Sequence, residues 1–100
     1  MSKYFIEVSF ELNDGQLDNW KNLSKEINND LTNVEGFISR DSGIDENNRV
    51  YCLVKWESKA HQEKFRKQLE SRENWNEMMN YFGSVVDVKT EKRNSVDLFE

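Results

Sequence analysis

The chain has 100 residues, of which 36% are apolar, 33% charged and 12% aromatic, and its net charge is −5. This length sets one domain with a modest core that buries roughly 60–70% of the unfolded surface. The acidity argues against a nucleic-acid partner, which needs a basic surface, and no apolar run approaches the roughly 20 residues needed to cross a membrane.

A single cysteine, Cys52, allows no intrachain disulfide and, in an apolar stretch, reads as a buried small hydrophobe rather than a reactive thiol. Without a signal-peptide run at the N-terminus, these features predict a cytoplasmic protein. Low apolar content beside many aromatics suggests a small core of large side chains, completed by a second subunit.

Residues 4–12 alternate, with Ile6, Val8, Phe10 and Leu12 on one side and Glu7, Ser9 and Glu11 on the other, which predicts a half-buried strand. Phe5 interrupts the polar side. Asn13-Asp14-Gly15 reads as a turn, and Asn13 with Gln16 three residues on fits a helix N-cap and its capping-box partner. The helix is expected over residues 16–31, with Leu17, Trp20, Leu23, Ile27 and Leu31 as its apolar stripe. Trp20 reads as core.

Residues 32–35 form a loop, Gly36 a tight bend, and residues 37–42 a second strand whose Ser39, Arg40, Asp41 and Ser42 imply a wet or interfacial position. Residues 43–49 hold the turn residues Asp45, Asn47 and Asn48 of a hairpin. The returning strand spans residues 50–57, with Val50, Cys52, Val54 and Trp56 on one face and Tyr51, Leu53 and Lys55 on the other.

Ser58 is placed to cap a second helix that turns Phe65 and Leu69 inward. The pattern falters at residues 71–74, where Ser71 could cap a new helical segment. Trp75, Met78, Met79 and Phe82 then resume helical spacing, and Gly83 reads as the C-terminal stop. The last strand is expected over residues 84–92, with Val86 and Val88 on one face and Val85, Asp87 and Lys89 on the other. That bounds a domain of residues 1–92. Residues 93–100 read as a tail, disordered by default, with its apolar end (Val96, Leu98, Phe99) offering packing on a partner subunit as the alternative.

The order β-α-β-β-α-β predicts an α+β, ferredoxin-like fold: a four-stranded antiparallel sheet with two helices on one face. The other face, mixing Phe5, Tyr51, Leu53 and Val85 with Glu7, Lys55, Asp87 and Lys89, is too apolar for plain surface. A homodimer packed through this uncovered sheet face would bury it.

Val34-Glu35-Gly36-Phe37, the charged hairpin, and the strand ending at Trp56 followed by Glu57-Ser58-Lys59-Ala60 resemble the antibiotic biosynthesis monooxygenase family. The resemblance spans residues 4–92. It implies a dimeric α/β barrel of ferredoxin-like subunits, with a cavity between helices and sheet and Trp56 on its wall. Many members have proline before the glycine, where this chain has Glu35. Haem-degrading relatives pair the strand tryptophan with an asparagine on the first strand and a histidine well into the second helix. Those positions fall near Val8 and Arg66 here, so only Trp56 of that set is present and haem degradation is disfavoured.

Trp56 faces the helices, and core packing at a strand end explains it as well as a cavity wall does. His61, in the first turn of the second helix, could act as base toward a phenolic substrate; a cap-region histidine is the plainer reading. Phe65, Trp75 and Met79 are candidates to shape a pocket for a flat ligand, with Tyr81 as a polar contact, although core spacing alone accounts for the apolar members. There is no phosphate loop or nucleophile motif, and one histidine with one cysteine makes no zinc site. No cofactor is therefore expected.

Two functions follow. One is a cofactor-independent monooxygenase acting on a small electron-rich aromatic such as a quinol or anthrone, with His61 and Trp56 at its centre. The other is a non-catalytic ligand-binding or regulatory module on the same scaffold.

Overall fold

A computed structural model describes residues 2–99. The elements are β1 (Lys3–Leu12), α1 (Leu17–Leu31), β2 (Phe37–Ile44), β3 (Arg49–Trp56), α2 (Lys59–Glu70), α3 (Trp75–Val85) and β4 (Val86–Leu98). The strands form one antiparallel sheet in the order β2-β3-β1-β4. This is the ferredoxin-like arrangement expected from the sequence, with the second helix divided into α2 and α3 where the apolar pattern falters.

Alternation along β1 and β3 decides which face is covered. Phe10, Val50 and Cys52 pack with Trp20 of α1 and Val85 of α3; Tyr4, Ile6 and Trp56 pack with Leu31 of α1. Val8 and Ile27 touch both groups, so the two clusters form one layer between sheet and helices. Phe10 sits edge-on to Trp20 at 5.0 Å and to Phe82 at 6.0 Å.

Several local expectations are corrected. No capping box forms at α1: Gln16 occupies the N-cap position without a side-chain cap, and its Oε1 accepts from Asn19 Nδ2 instead. The amide of Asn13 is drawn away to the far end of the chain, where Nδ2 donates to the carbonyl oxygens of Gly83 (3.2 Å) and Ser84 (3.0 Å). That contact satisfies carbonyls a helix end leaves open. Gly83 lacks the positive φ of a helix-ending glycine and does not stop α3, which runs on to Val85 and passes directly into β4. Asn13→Ala is expected to cost about 1 kcal/mol, read as a fall in Tm with early exchange of the last amides of α3. An unchanged Tm would show that water serves those carbonyls equally well.

Val85 was expected on the uncovered face, but as the last residue of α3 it is fully buried, as is Val86. Val88 was expected to face the helices and is instead 52% exposed. The β1–β4 register jumps from Ser9↔Lys92 to Glu11↔Asp87, and the strand bulges in between. Thr90 pins the bulge: its Oγ1 accepts from the backbone N–H of Glu11 (2.8 Å) and donates to the Asp87 carbonyl (2.6 Å). Residues 93–98 form no separate tail. They continue β4 along the outer edge of β1, from Val8↔Arg93 to Lys3↔Leu98. Glu100, the end of the predicted tail, lies outside the described residues. No helix among the described residues is long and apolar enough to cross a membrane.

Candidate functional site

The β3-to-α2 junction carries the family-like sequence motif. Ser58, in extended conformation two residues past the end of β3, caps α2: its Oγ accepts from the His61 backbone N–H at 3.2 Å. The same oxygen lies 2.8 Å from His61 Nδ1. The other ring nitrogen, Nε2, is 3.9 Å from Glu35 Oε1. Gly36 stands under this ring. Its φ of +85° suits glycine, and a Cβ there would overlap the imidazole. The Gly36 carbonyl also accepts from Glu57 N at 2.7 Å. The α1–β2 loop and the start of α2 are thus clamped together across His61.

Trp56 sits just inside this clamp and is 3% exposed. Phe37 lies edge-on to it at 5.8 Å, and Phe65 is tilted against it at 5.5 Å. Tyr4, Ile6 and Leu31 complete the cluster. The structure therefore brings Trp56 and Phe65 together, with His61 four residues before Phe65 on α2 and held by Ser58. It does not bring in the α3 candidates. Of that helix only Phe82 and Val85 join the core clusters; Trp75 is half-buried, and Met79 and Tyr81 are 39% and 47% exposed. Two surface hollows lie elsewhere. One of about 440 Å³ runs along α2 beside Ala60, Lys64 and Lys67, and one of about 370 Å³ lies between residues 11–17 and the β2–β3 hairpin. Among the described residues no three His, Cys, Asp or Glu side chains converge as a metal site requires.

Sequence reasoning missed a second constellation. Arg40 of β2 lies under α1, where Nη1 donates to Ser24 Oγ (2.8 Å) and Asn28 Oδ1 (2.8 Å), and Nη2 reaches Cys52 Sγ (3.5 Å). Ser42 Oγ is 3.7 Å from the same sulfur. Burial pushes the Cys52 thiol up, against the opposing pull of Arg40 and of the Ser42 hydrogen bond. The thiol thus stays protonated and poorly nucleophilic.

The uncovered sheet face has its own polar network. Arg49 donates from Nε to Ser9 Oγ (3.0 Å) and from Nη2 to the Thr90 carbonyl (2.6 Å), crossing β1 to tie β3 to β4. Asp45 closes the hairpin: Oδ1 accepts from the N–H groups of Arg49 and Asn47, both at 2.9 Å, and Oδ2 from the Tyr51 hydroxyl at 3.2 Å. These donors, the Arg49 N–H first, hold the Asp45 carboxyl below its ordinary value of 3.8. Partial desolvation, then the bond to Asp45, pushes Tyr51 up. A depressed carboxylate stabilises the fold above its unfolded pKa and loses that contribution as pH falls through the folded value. The hairpin is therefore expected to loosen only below the ordinary carboxylate range. An NMR titration of Asp45 should show a midpoint under 3.8; a midpoint at or above it contradicts the network.

No family model matches the chain, and no curated protein matches it. Solved structures do resemble it. A conserved protein from Methanosarcina mazei Go1 superposes with a TM-score of 0.77 at 13% identity, covering 97% of this chain and 93% of that one. SnoaB, a cofactor-independent oxygenase from Streptomyces nogalater, does so with a TM-score of 0.75 at 10% identity, covering 100% and 96%. A protein from Chloroflexus aurantiacus J-10-fl, provisionally named an antibiotic biosynthesis monooxygenase, gives 0.72 at 12% identity, covering 99% and 95%. At these identities the likeness establishes a shared fold: this chain has the ferredoxin-like scaffold on which at least one cofactor-independent oxygenase is built.

Proposed function

We propose that the protein is a small cofactor-independent monooxygenase acting on an electron-rich aromatic such as a quinol or anthrone. The observation that carries this reading is the aromatic cluster of Phe37, Trp56 and Phe65, edged by the Ser58–His61 pair, on a scaffold shared with SnoaB. The chemistry asks little of the protein. An anthrone CH₂ and O₂ give a carbonyl and water, with the substrate supplying all four electrons. The protein's task is to remove a proton and hold the resulting anion away from water. His61 is the candidate base, through whichever ring nitrogen is not donating to its neighbour.

A second reading, a non-catalytic binding module, is favoured by the enclosure of Trp56 and by the engagement of both His61 nitrogens, with Ser58 and Glu35. Oxygen uptake by metal-free protein with a panel of quinols, anthrones and flavonols separates the two. Uptake that is lost in His61→Ala and altered in Trp56→Phe, with the fold retained, supports the enzyme. Saturable binding without uptake supports the module.

On either reading the proposed assembly is a homodimer joined through the uncovered sheet face. There Phe5, Tyr51 and Leu53 are half-buried beside Glu7 and Lys55. Sedimentation at micromolar concentration should give twice the chain mass; a monomer overturns this.

A further inference from the structure

We propose that Arg40 is the seat for the anionic group of a small aromatic ligand, a carboxylate or phenolate that reaches the guanidinium from the open edge of β2. The aromatic character of the ligand rests on the reading above; the anion seat rests on Arg40 itself.

Arg40 is turned inward by the backbone. The β2–β3 register runs Phe37↔Trp56 and then Ser39↔Lys55, so Ile38 is an extra residue and the strand shifts face. Arg40 then pairs with Val54 and Ser42 with Cys52, both on the helix side. The guanidinium ends half-buried under α1, next to the buried Ser24.

Its surroundings are neutral. The chain carries 19 acidic residues, yet among the described residues none forms an ion pair with Arg40. The acceptors are a hydroxyl, an amide oxygen, the Ser24 carbonyl at 3.4 Å and the Cys52 sulfur. A cation withdrawn from water among neutral groups lacks the charge that would offset its desolvation. Cys52, a protonated thiol, does not supply it.

The donors are also incompletely used. A guanidinium has five N–H groups. Ser24 and Asn28 occupy the two on Nη1, and the weakly accepting sulfur engages one on Nη2. Among the described residues nothing accepts from Nε–H or the second Nη2–H. Nε with Nη2 is the edge that binds a carboxylate through two parallel bonds. Ser24 and Asn28 hold the opposite edge in place from α1, so little ordering is left to ligand binding. β2 is the outermost strand, and Arg40 there keeps part of its surface open to solvent.

The seat adjoins the aromatic cluster. Val54, the partner of Arg40, is two residues from Trp56 on the same face of β3, about 7 Å along the strand. A ring at the Phe37–Trp56 rim would place an acidic substituent within reach of Arg40.

The test uses the intact protein with three probes: 2,5-dihydroxybenzoate, its neutral counterpart hydroquinone, and acetate. Binding is followed by calorimetry and by the Arg40 Nε–H resonance. The acid is expected to shift that resonance saturably and to bind at least about tenfold more tightly than hydroquinone or acetate. Arg40→Met should abolish the preference, and Arg40→Lys, which keeps the charge if the methionine variant folds poorly, should retain part of it. Equal binding of acid and neutral probe, a preference that survives Arg40→Met, or no shift at Arg40 overturns the proposal. Acetate matching the aromatic acid overturns its aromatic part. Arg40-dependent binding without oxygen uptake leaves the seat standing and removes the oxygenase reading. Uptake with hydroquinone that ignores Arg40 does the reverse.

Discussion

Trp56→Ala is expected to destabilise the protein by about 3–5 kcal/mol, the range for removing a large aromatic from a packed core. The indole is 3% exposed and wedged between Phe37 and Phe65, so its loss leaves a void bounded by Tyr4, Ile6 and Leu31. Domains of this size have a total stability of about 5–15 kcal/mol, and each kcal/mol moves Tm by about 4–8 °C. A fall of at least about 12 °C is therefore expected in thermal unfolding. A fall of only a few degrees would mean that the indole faces open space, as a cavity wall does. Trp56→Ala is a poor probe of activity for the same reason, and Trp56→Phe, which keeps most of the apolar volume, is the variant to assay.

Gly36→Ala is expected to cost about 2–4 kcal/mol from two separable sources. A left-handed backbone costs a non-glycine residue about 1–2 kcal/mol. The remainder comes from the imidazole of His61, which occupies the space of the new methyl group. The double variant Gly36→Ala/His61→Ala should recover the steric part and retain the conformational part, leaving a coupling of about 1–2 kcal/mol between residues in contact. Strict additivity in the cycle would show that the ring does not lie over Gly36. The result bears on function, because the contact fixes where the only histidine of the chain can point.

The legible parts of the fold are those in which the deciding neighbours are close in sequence. Alternation along β1 and β3 identified the covered face, including Ile6, Phe10, Val50, Cys52 and Trp56. Ser58 was readable as a cap because its partner, His61 N–H, is three residues away. Asn13 was misread because its acceptors are 70 and 71 residues distant, and local rules do not register a donor diverted that far. Gly83 looked like a stop because glycine often ends helices, but it does not take the left-handed backbone that such a stop needs. Trp75 and Met79 were candidates on helical spacing and Tyr81 as a polar contact beside them, yet only Phe82 and Val85 of α3 meet the core clusters. Spacing reports a stripe, and the tilt of the helix on the sheet decides how much of the stripe is used.

Arg40 was invisible for another reason. Period-two counting from Phe37 puts Ser39 and Asp41 on the covered face and Arg40 on the other. The extra residue at Ile38 reverses that count for the rest of β2. The position was legible as polar and interfacial, but its direction was not.

The unpaired Ile38 makes the strand tolerant of a change in length at that point. Loss of that single codon would leave the ladder Phe37↔Trp56, Ser39↔Lys55, Arg40↔Val54 and Ser42↔Cys52 unbroken, whereas drawing Ile38 into the ladder opposite Lys55 would move Arg40 and Ser42 to the opposite side of the sheet and put Ser39 and Asp41 beneath α1, with every amino acid unchanged. The chemistry of this side of the protein is therefore set by a reading frame within the strand as well as by residue identity. An in-frame deletion at the bulge would keep the inward-facing guanidinium in place, while a one-residue slip of the pairing would lose it. Comparison of such chains at this edge then has to be made by pairing partner, Val54 for Arg40 and Cys52 for Ser42, because column position alone would align residues that face opposite ways.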